Sequence, residues 1–220
     1  MIEIAIDGTS ASGKGTLAKK LSQKYAIPHL DTGLMYRKIA SEILKNKIDY
    51  NKLSELSCQI AKVSSFENLQ NEELRTEKIA QMASKIAVYP RLRNMLNLKQ
   101  KEFILKSNEQ FGGCVLDGRD IGTKILPNAN FKFFIDASIE IRAKRRLLEK
   151  NISFLHENDE KCMLQSLIEK MVDRDNIDRS REDSPMVPAK DAYVIDTTSM
   201  NADQLFSIAT KLIEGNLTSN

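Results

Sequence analysis

The stretch IEIAIDGTSASGKGT, residues 2–16, decides the fold. Residues 2–7 are mostly apolar and read as a short buried strand. The strand runs into a glycine-rich loop with one lysine. A phosphate loop is written G-x-x-x-x-G-K followed by Ser or Thr. Gly8, Gly13 and Lys14 fit, but the next residue is Gly15, and Thr16 comes one place late. Glycines let the chain turn tightly and let backbone N–H groups face a phosphate. The helix beginning near Lys14 adds its positive dipole end, and Lys14 adds a point charge. The bland alternative is a glycine-rich turn before an ordinary helix. Strand, spacing and lysine together argue against it.

The rest of the chain repeats this alternation. HLD (29–31), CVLDGRDIG (114–122), FKFFIDA (131–137) and AYVIDTT (192–198) read as strands, the second running into a loop. Helices are predicted from the phosphate loop through Tyr25, with Leu17 and Leu21 on one face, and from 34 to 45. Two more are predicted over 138–150, capped by Ser138, and over 201–214. Strands alternating with helices predict an α/β fold: a mostly parallel sheet covered on both faces. Two stretches interrupt the pattern. Residues 46–110 are almost all helical, split by Pro90, and residues 150–190 are polar and end in DRDNIDRSREDSPMVP. Both read as insertions at the carboxyl edge of the sheet, where open α/β sheets bind ligands.

Composition excludes several classes. The chain has 220 residues and a net charge of +3, too small to argue for a nucleic-acid partner. It has no run of apolar residues long enough for a membrane helix, and its N-terminus has no basic leader. Cys58, Cys114 and Cys162 are far apart and odd in number, which suggests neither zinc nor disulfides and fits the cytoplasm. The sequons at Asn151 and Asn216 are read as unmodified. NKID (46–49) has the letters of a guanine motif, but no DxxG switch precedes it and it ends a helix rather than following a strand. Counting a calcium loop from Asp173 puts Asp178 and Ser184 where Gly and Glu are needed. His29 and His156 have no metal-helix partner.

The loops after the strands are more telling. Lys14 lies beyond the first strand, DTGLMYR with Arg37 beyond the second, and DGRDIGT with Arg119 beyond the third. The second insertion supplies Arg174, Arg179 and Arg181, and the helix at 138–150 offers Arg142, Arg145 and Arg146. Arginine contacts phosphate bidentately and stays charged. One phosphate loop with several separated arginines suits two phosphorylated substrates meeting in one cleft. A solvated basic face is the alternative, and it is accepted for Lys144 and Lys150.

The ordered set GTSASGKGT, DTGLMYR, RTEKIAQMASKIAVYPRLR, DGRDIGT and DRDNIDRSR, with SPMVPAKDAYVIDTT after it, resembles the bacterial cytidylate kinases over nearly the whole chain. The resemblance implies phosphoryl transfer from ATP to CMP or dCMP with Mg2+, in a monomer that binds neither nucleic acid nor membrane. It implies a three-layer phosphate-loop fold with a five-stranded parallel sheet, divided as core (1–45), CMP-binding insertion (46–110), core (111–149), short lid (150–187) and core (188–220). Gly8, Thr9, Ser10, Ala11, Ser12, Gly13, Lys14, Gly15 and Thr16 would hold the ATP phosphates, with Arg142 and Arg145 or Arg146 also on ATP. Thr16 would touch the metal through water. Arg37, Arg119 and Arg181 would hold the CMP phosphate and, with Lys14, spread the charge in transfer. Ser84, Arg93 and Asp120 would read cytosine. Thr32, Tyr36, Arg174 and Asp178 would line the sugar side. This chain departs from the family at Thr32, usually Ser, and at Ile177, often Arg in the lid. FENLQNEELRT also lacks the usual glycine-acidic run. The rivals are another small phosphate-loop kinase, acting on UMP, AMP or shikimate, and a nucleotide switch without transferase activity.

Overall fold

A computed structural model describes residues 1–46, 52–66, 69, 72–149 and 157–217. The NKID motif from residue 47 on, the Asn151 sequon, His156 and the start of the proposed lid lie outside these residues, as does the end of the Asn216 sequon.

Five strands form one parallel sheet: β1 (Ile2–Gly8), β2 (His29–Asp31), β3 (Gly113–Gly118), β4 (Phe131–Asp136) and β5 (Tyr193–Asp196), in the order β2-β3-β1-β4-β5. The order reverses at β1, between β3 and β4. That switch point opens a crevice at the carboxyl ends of the strands. Strand alternation sets the two faces. Ile4 and Ile6 join Leu17, Leu21, Phe133, Ala209 and Ile213 beneath α1 (Lys14–Tyr25) and α8 (Ala202–Leu217). Ala5 turns the other way, toward Cys114, Leu116, Ile121 and Ile104.

Among its described residues, the first insertion is built of the α-helices α3 (Leu53–Val63), α4 (Glu77–Ile86) and α5 (Pro90–Phe111). They pack with α2 (Thr32–Lys45) around Met35, Ile39, Met82, Ile86, Leu92 and Leu96. Pro90 sits in the first turn of α5, where its missing N–H costs nothing. The helix is shared. Leu92 and Leu96 lie in the insertion's core, while Ile104 packs under the sheet.

The second insertion reads from its sequence only as a polar stretch. Its DRDNIDR segment is the end of α7 (Glu157–Arg179), a helix of 23 residues. Leu167 and Met171 dock it on Ala143 and Leu147 of α6 (Ile139–Leu148). Arg174 and Arg179 therefore project from a helix. Ser138 caps α6 as expected, accepting from the Ile141 N–H at 3.4 Å.

Candidate active site

The phosphate loop ends β1 at a point only glycine can occupy. A Cβ on Gly8 would lie 1.9 Å from the Ile135 carbonyl oxygen, and Gly8 has φ 142°. Gly13, with φ 100°, starts α1 without a side-chain cap, so the first-turn N–H groups are left for a ligand. The loop is braced from behind. Thr9 and Ser12 are fully buried; Thr9 Oγ1 donates to Asp136 Oδ1 at 2.6 Å and Ser12 Oγ to the Thr9 carbonyl at 3.0 Å. Both hydroxyls are thus spent on holding the loop. Thr197 Oγ1 donates to the Ser12 carbonyl at 2.8 Å and accepts from Arg145 at 2.9 Å.

The two arginines expected on ATP part ways. Arg145 also reaches the Thr197 and Met200 carbonyls, at 2.6 and 2.9 Å, and lines a side pocket with Ala11, Gly13, Thr16 and Leu205. Arg142 is buried behind the loop. It donates to the Ala137 carbonyl at 2.9 Å and pairs with Asp175 at 2.7 Å, and it lines neither the side pocket nor the central cleft and its neighbour.

The central cleft gathers Lys14, Thr16, Arg37, Arg119 and Arg174 from the expected set, with Ser10, Ala11, Gly13 and Gly15 of the loop. Sequence reasoning missed several of its other residues: His29, Asp31, Arg75 and Asp117; Arg146, the alternative to Arg145 on ATP, also lies here. The signal for Asp31 and Asp117 was an acid closing an apolar strand, as in HLD and VLD. His29 Nε2 and Asp117 Oδ1 lie 2.6 Å apart. Burial opposes charge on Asp117, but the bond to His29 and the charges of His29, Lys14 and Arg119 hold its carboxyl below the usual range. Asp31 moves the other way, raised by burial and then by the Asp117 charge. The cations crowd one another. Burial and Arg119 push Lys14 down to about 7; burial, Arg174 and Arg146 push Arg37 down to about 9. The cleft thus sets several cations around the Asp31 and Asp117 carboxylates.

Gly15 also finds its meaning here. A Cβ at that position would meet Asp117 Oδ2 at 3.8 Å, so the displaced Ser/Thr position of the loop looks across the cleft at a carboxylate.

A second pocket adjoins the cleft. It is lined by Thr32, Tyr36, Ser84, Arg93, Arg119, Asp120, Arg174, Asp178 and Arg181, every expected acceptor-side residue except Arg37, which lies in the cleft. Arg93 donates to Asp120 Oδ2 at 2.6 Å and to the Ala87 carbonyl at 3.3 Å. Ser84 Oγ, Arg93 Nε, Arg174 Nε and Arg181 Nε are buried without a hydrogen-bond partner. Asp178 is the hub of this side, bonding Arg119 Nε at 2.9 Å and also pairing with Arg181. Burial would raise its carboxyl, yet Arg119, Arg181 and Arg174 hold it below the usual range. Thr32 Oγ1 donates to the Asp117 carbonyl at 2.9 Å, and a Cβ on Gly118 would strike that hydroxyl at 2.6 Å. Ile177 faces solvent, and Arg179 is turned toward Asp136 at 3.4 Å. Of the α7 arginines, Arg174 is the one that enters the site.

Asp7 joins the two halves. It ends β1 beside the phosphate loop and accepts from the Ile121 and Gly122 N–H groups, at 2.8 and 2.7 Å, directly after Asp120. Burial raises its carboxyl to about 7 despite these bonds.

Comparison with known proteins agrees with this geometry. The family model for cytidylate kinase matches residues 4–215. The chain is 39% identical over 211 residues to the cytidylate kinase of Bartonella quintana (strain Toulouse), covering 96% of this chain and 94% of that protein. It is 40% identical over 211 residues to that of Methylocella silvestris, covering 96% and 93%. Its fold is similar to the crystal structure of an uncharacterized protein from Eubacterium ventriosum ATCC 27560, with TM-score 0.54 and 17% identity over 97% of this chain and 99% of that one. The match over nearly the whole length, on top of the two adjoining pockets, settles the family: the chain belongs to the cytidylate kinases.

Proposed function

We propose that this protein transfers the terminal phosphoryl group of ATP to CMP or dCMP, giving ADP and CDP or dCDP. The observation that carries the reading is the unsatisfied acceptor pocket. A buried polar group without a partner costs about 1–3 kcal/mol, and a polar ligand that completes it recovers that cost. Ser84 Oγ is such a group, and Arg93 Nε, facing Asp183 at 3.9 Å, makes no hydrogen bond beside the Arg93–Asp120 pair. Asp120 spends Oδ2 on Arg93 and keeps Oδ1 for the 4-amino group of cytosine; Arg93 donates to the ring acceptors. Uracil carries an oxygen in place of the amino group and leaves the carboxylate unpaired.

The acceptor needs little activation, since the second pKa of a phosphate monoester is about 6. Arg37, Arg119 and Arg181 hold it, with Asp178 fixing the last two. Thr32, Tyr36, Arg174 and Asp178 line the sugar side. Lys14 and the α1 N–H groups take the outer phosphates of ATP, and Arg145 borders the side pocket for its base. The rate comes from positioning and charge stabilisation of an in-line transfer. Residues of the 150–187 stretch exclude water as a lid.

Mg2+ keeps several waters and binds through one or two carboxylates plus substrate phosphates. The cleft fits that demand: Asp31, Asp117 and Thr16 all line it, and the two carboxylates would hold the ion, with the Thr16 hydroxyl reaching it through water. When bound, the ion neutralises charge developing on the phosphates.

The test is an assay of ADP release over CMP, dCMP, UMP, AMP, shikimate and no acceptor. Release that depends on CMP or dCMP is expected. Preference for another acceptor, or slow hydrolysis indifferent to all of them, would contradict the reading.

A further inference from the structure

Residues 72–75, a single 3-10 turn that leads into α4, press the first insertion onto the cleft. Two arginines of the core hold this turn by its backbone. Arg37 donates to the Leu74 carbonyl at 2.9 Å, and Arg146 to the Arg75 carbonyl at 2.8 Å. Docking therefore makes no use of the Arg75 side chain. That side chain lines the central cleft together with Lys14, and it pairs with Asp31 at 3.5 Å. Arg75 is 45% exposed in its side chain and Asp31 23%. A pair of that exposure contributes at most about 1 kcal/mol, so folding gives no reason for an arginine here. Asp31 feels the charge of both Arg75 and Lys14, and all three line the cleft.

We infer that Arg75 is a further catalytic residue, which leaves Asp31 and contacts the oxygens of the phosphoryl group in transfer. The inference rests on the proposed reaction. Its physical logic is directional. The phosphoryl in flight spreads charge over three equatorial oxygens. Lys14 reaches it from the phosphate loop, and Arg119 from the end of β3. Arg75 comes from a third side, the insertion, on a turn whose position is set by other residues. Closing the insertion over bound acceptor would bring its cation from Asp31 onto the phosphoryl group in transfer.

The test uses the full chain with Arg75→Ala and Arg75→Lys, read by kcat, KM for ATP and CMP, calorimetric CMP affinity and Tm. Removing one of several cations that act mainly in the transition state should lower kcat by about 100-fold. KM values, CMP affinity and Tm should stay near those of the parent, and Arg75→Lys should recover part of kcat. The inference is overturned if Arg75→Ala keeps kcat within about threefold. It is also overturned if the loss in kcat is matched by losses in CMP affinity and Tm, which would mark a docking role. Restoration of the parent kcat by Arg75→Ala with Asp31→Asn would overturn it too, since Arg75 would then only neutralise Asp31. A parent protein that releases no CMP-dependent ADP would instead overturn the reaction itself, and this inference with it.

Discussion

On the donor side of the cleft, residues 8–16 hold no buried side-chain atom without a partner. Thr9, Ser12, Thr197 and Arg145 bond one another or the strands behind them, and the N–H groups of the loop are left facing outward. On the acceptor side, Ser84, Arg93, Arg174 and Arg181 each keep a buried polar atom unpaired. One half is complete before its ligand arrives, and the other is completed by it. The difference matches the two tasks. Any nucleoside triphosphate presents the same phosphates to the loop, so a rigid cradle suffices. Choosing one base requires buried groups that a wrong base leaves unpaired.

Substitutions on one side should therefore spare the other. The largest effect is expected from Arg37→Ala, which removes a half-buried cation from the cleft. It should lower kcat/KM for CMP by about 100- to 1,000-fold while ATP affinity, measured by calorimetry, holds. Equal loss of ATP affinity would break the division. Asp178→Ala comes next. It frees Arg119 and Arg181 together, and KM for CMP should rise by about tenfold or more as their geometry loosens. Thr197→Val removes a brace of the loop. KM for ATP should rise by a few fold and KM for CMP should stay constant; a rise in the CMP value alone would reverse the comparison.

The joint between the halves titrates. The Asp7 carboxyl is raised to about 7 from 3.8, so the folded protein binds a proton there that the unfolded chain has lost. The stability gained from holding that proton declines as pH rises from about 4 to about 7, then levels off. Urea unfolding at pH 5 and pH 7.5 should show the parent losing ground against Asp7→Asn by on the order of a few kcal/mol. A pH-independent difference between the two would contradict the assignment.

Much of this was legible in the residues. Apolar strands, each leading to a loop with glycine, acid and arginine, predicted the parallel sheet and placed its ligand edge. The acceptor pocket assembles the expected residues from the loop after β3, the starts of α2 and α5 and the ends of α4 and α7, which meet beside the β1 switch point. α7 was not legible. It carries few apolar residues and docks through one short stretch around Leu167 and Met171, so its periodicity is weak. Arg142 misled because arginine's affinity for phosphate says nothing about a carboxylate on another helix; only folding brings Asp175 to 2.7 Å from it. His29 with Asp117, and Asp7 with the Ile121 and Gly122 amides, are likewise pairings across strands that no local pattern records.

The central claim is that Arg93 and Asp120 read cytosine. It is tested most directly by kcat/KM for CMP and for UMP, in the parent and in Asp120→Ala. The parent should prefer CMP clearly, and Asp120→Ala should lose CMP activity far more than UMP activity, collapsing the ratio toward one. Full discrimination retained in Asp120→Ala would contradict the claim.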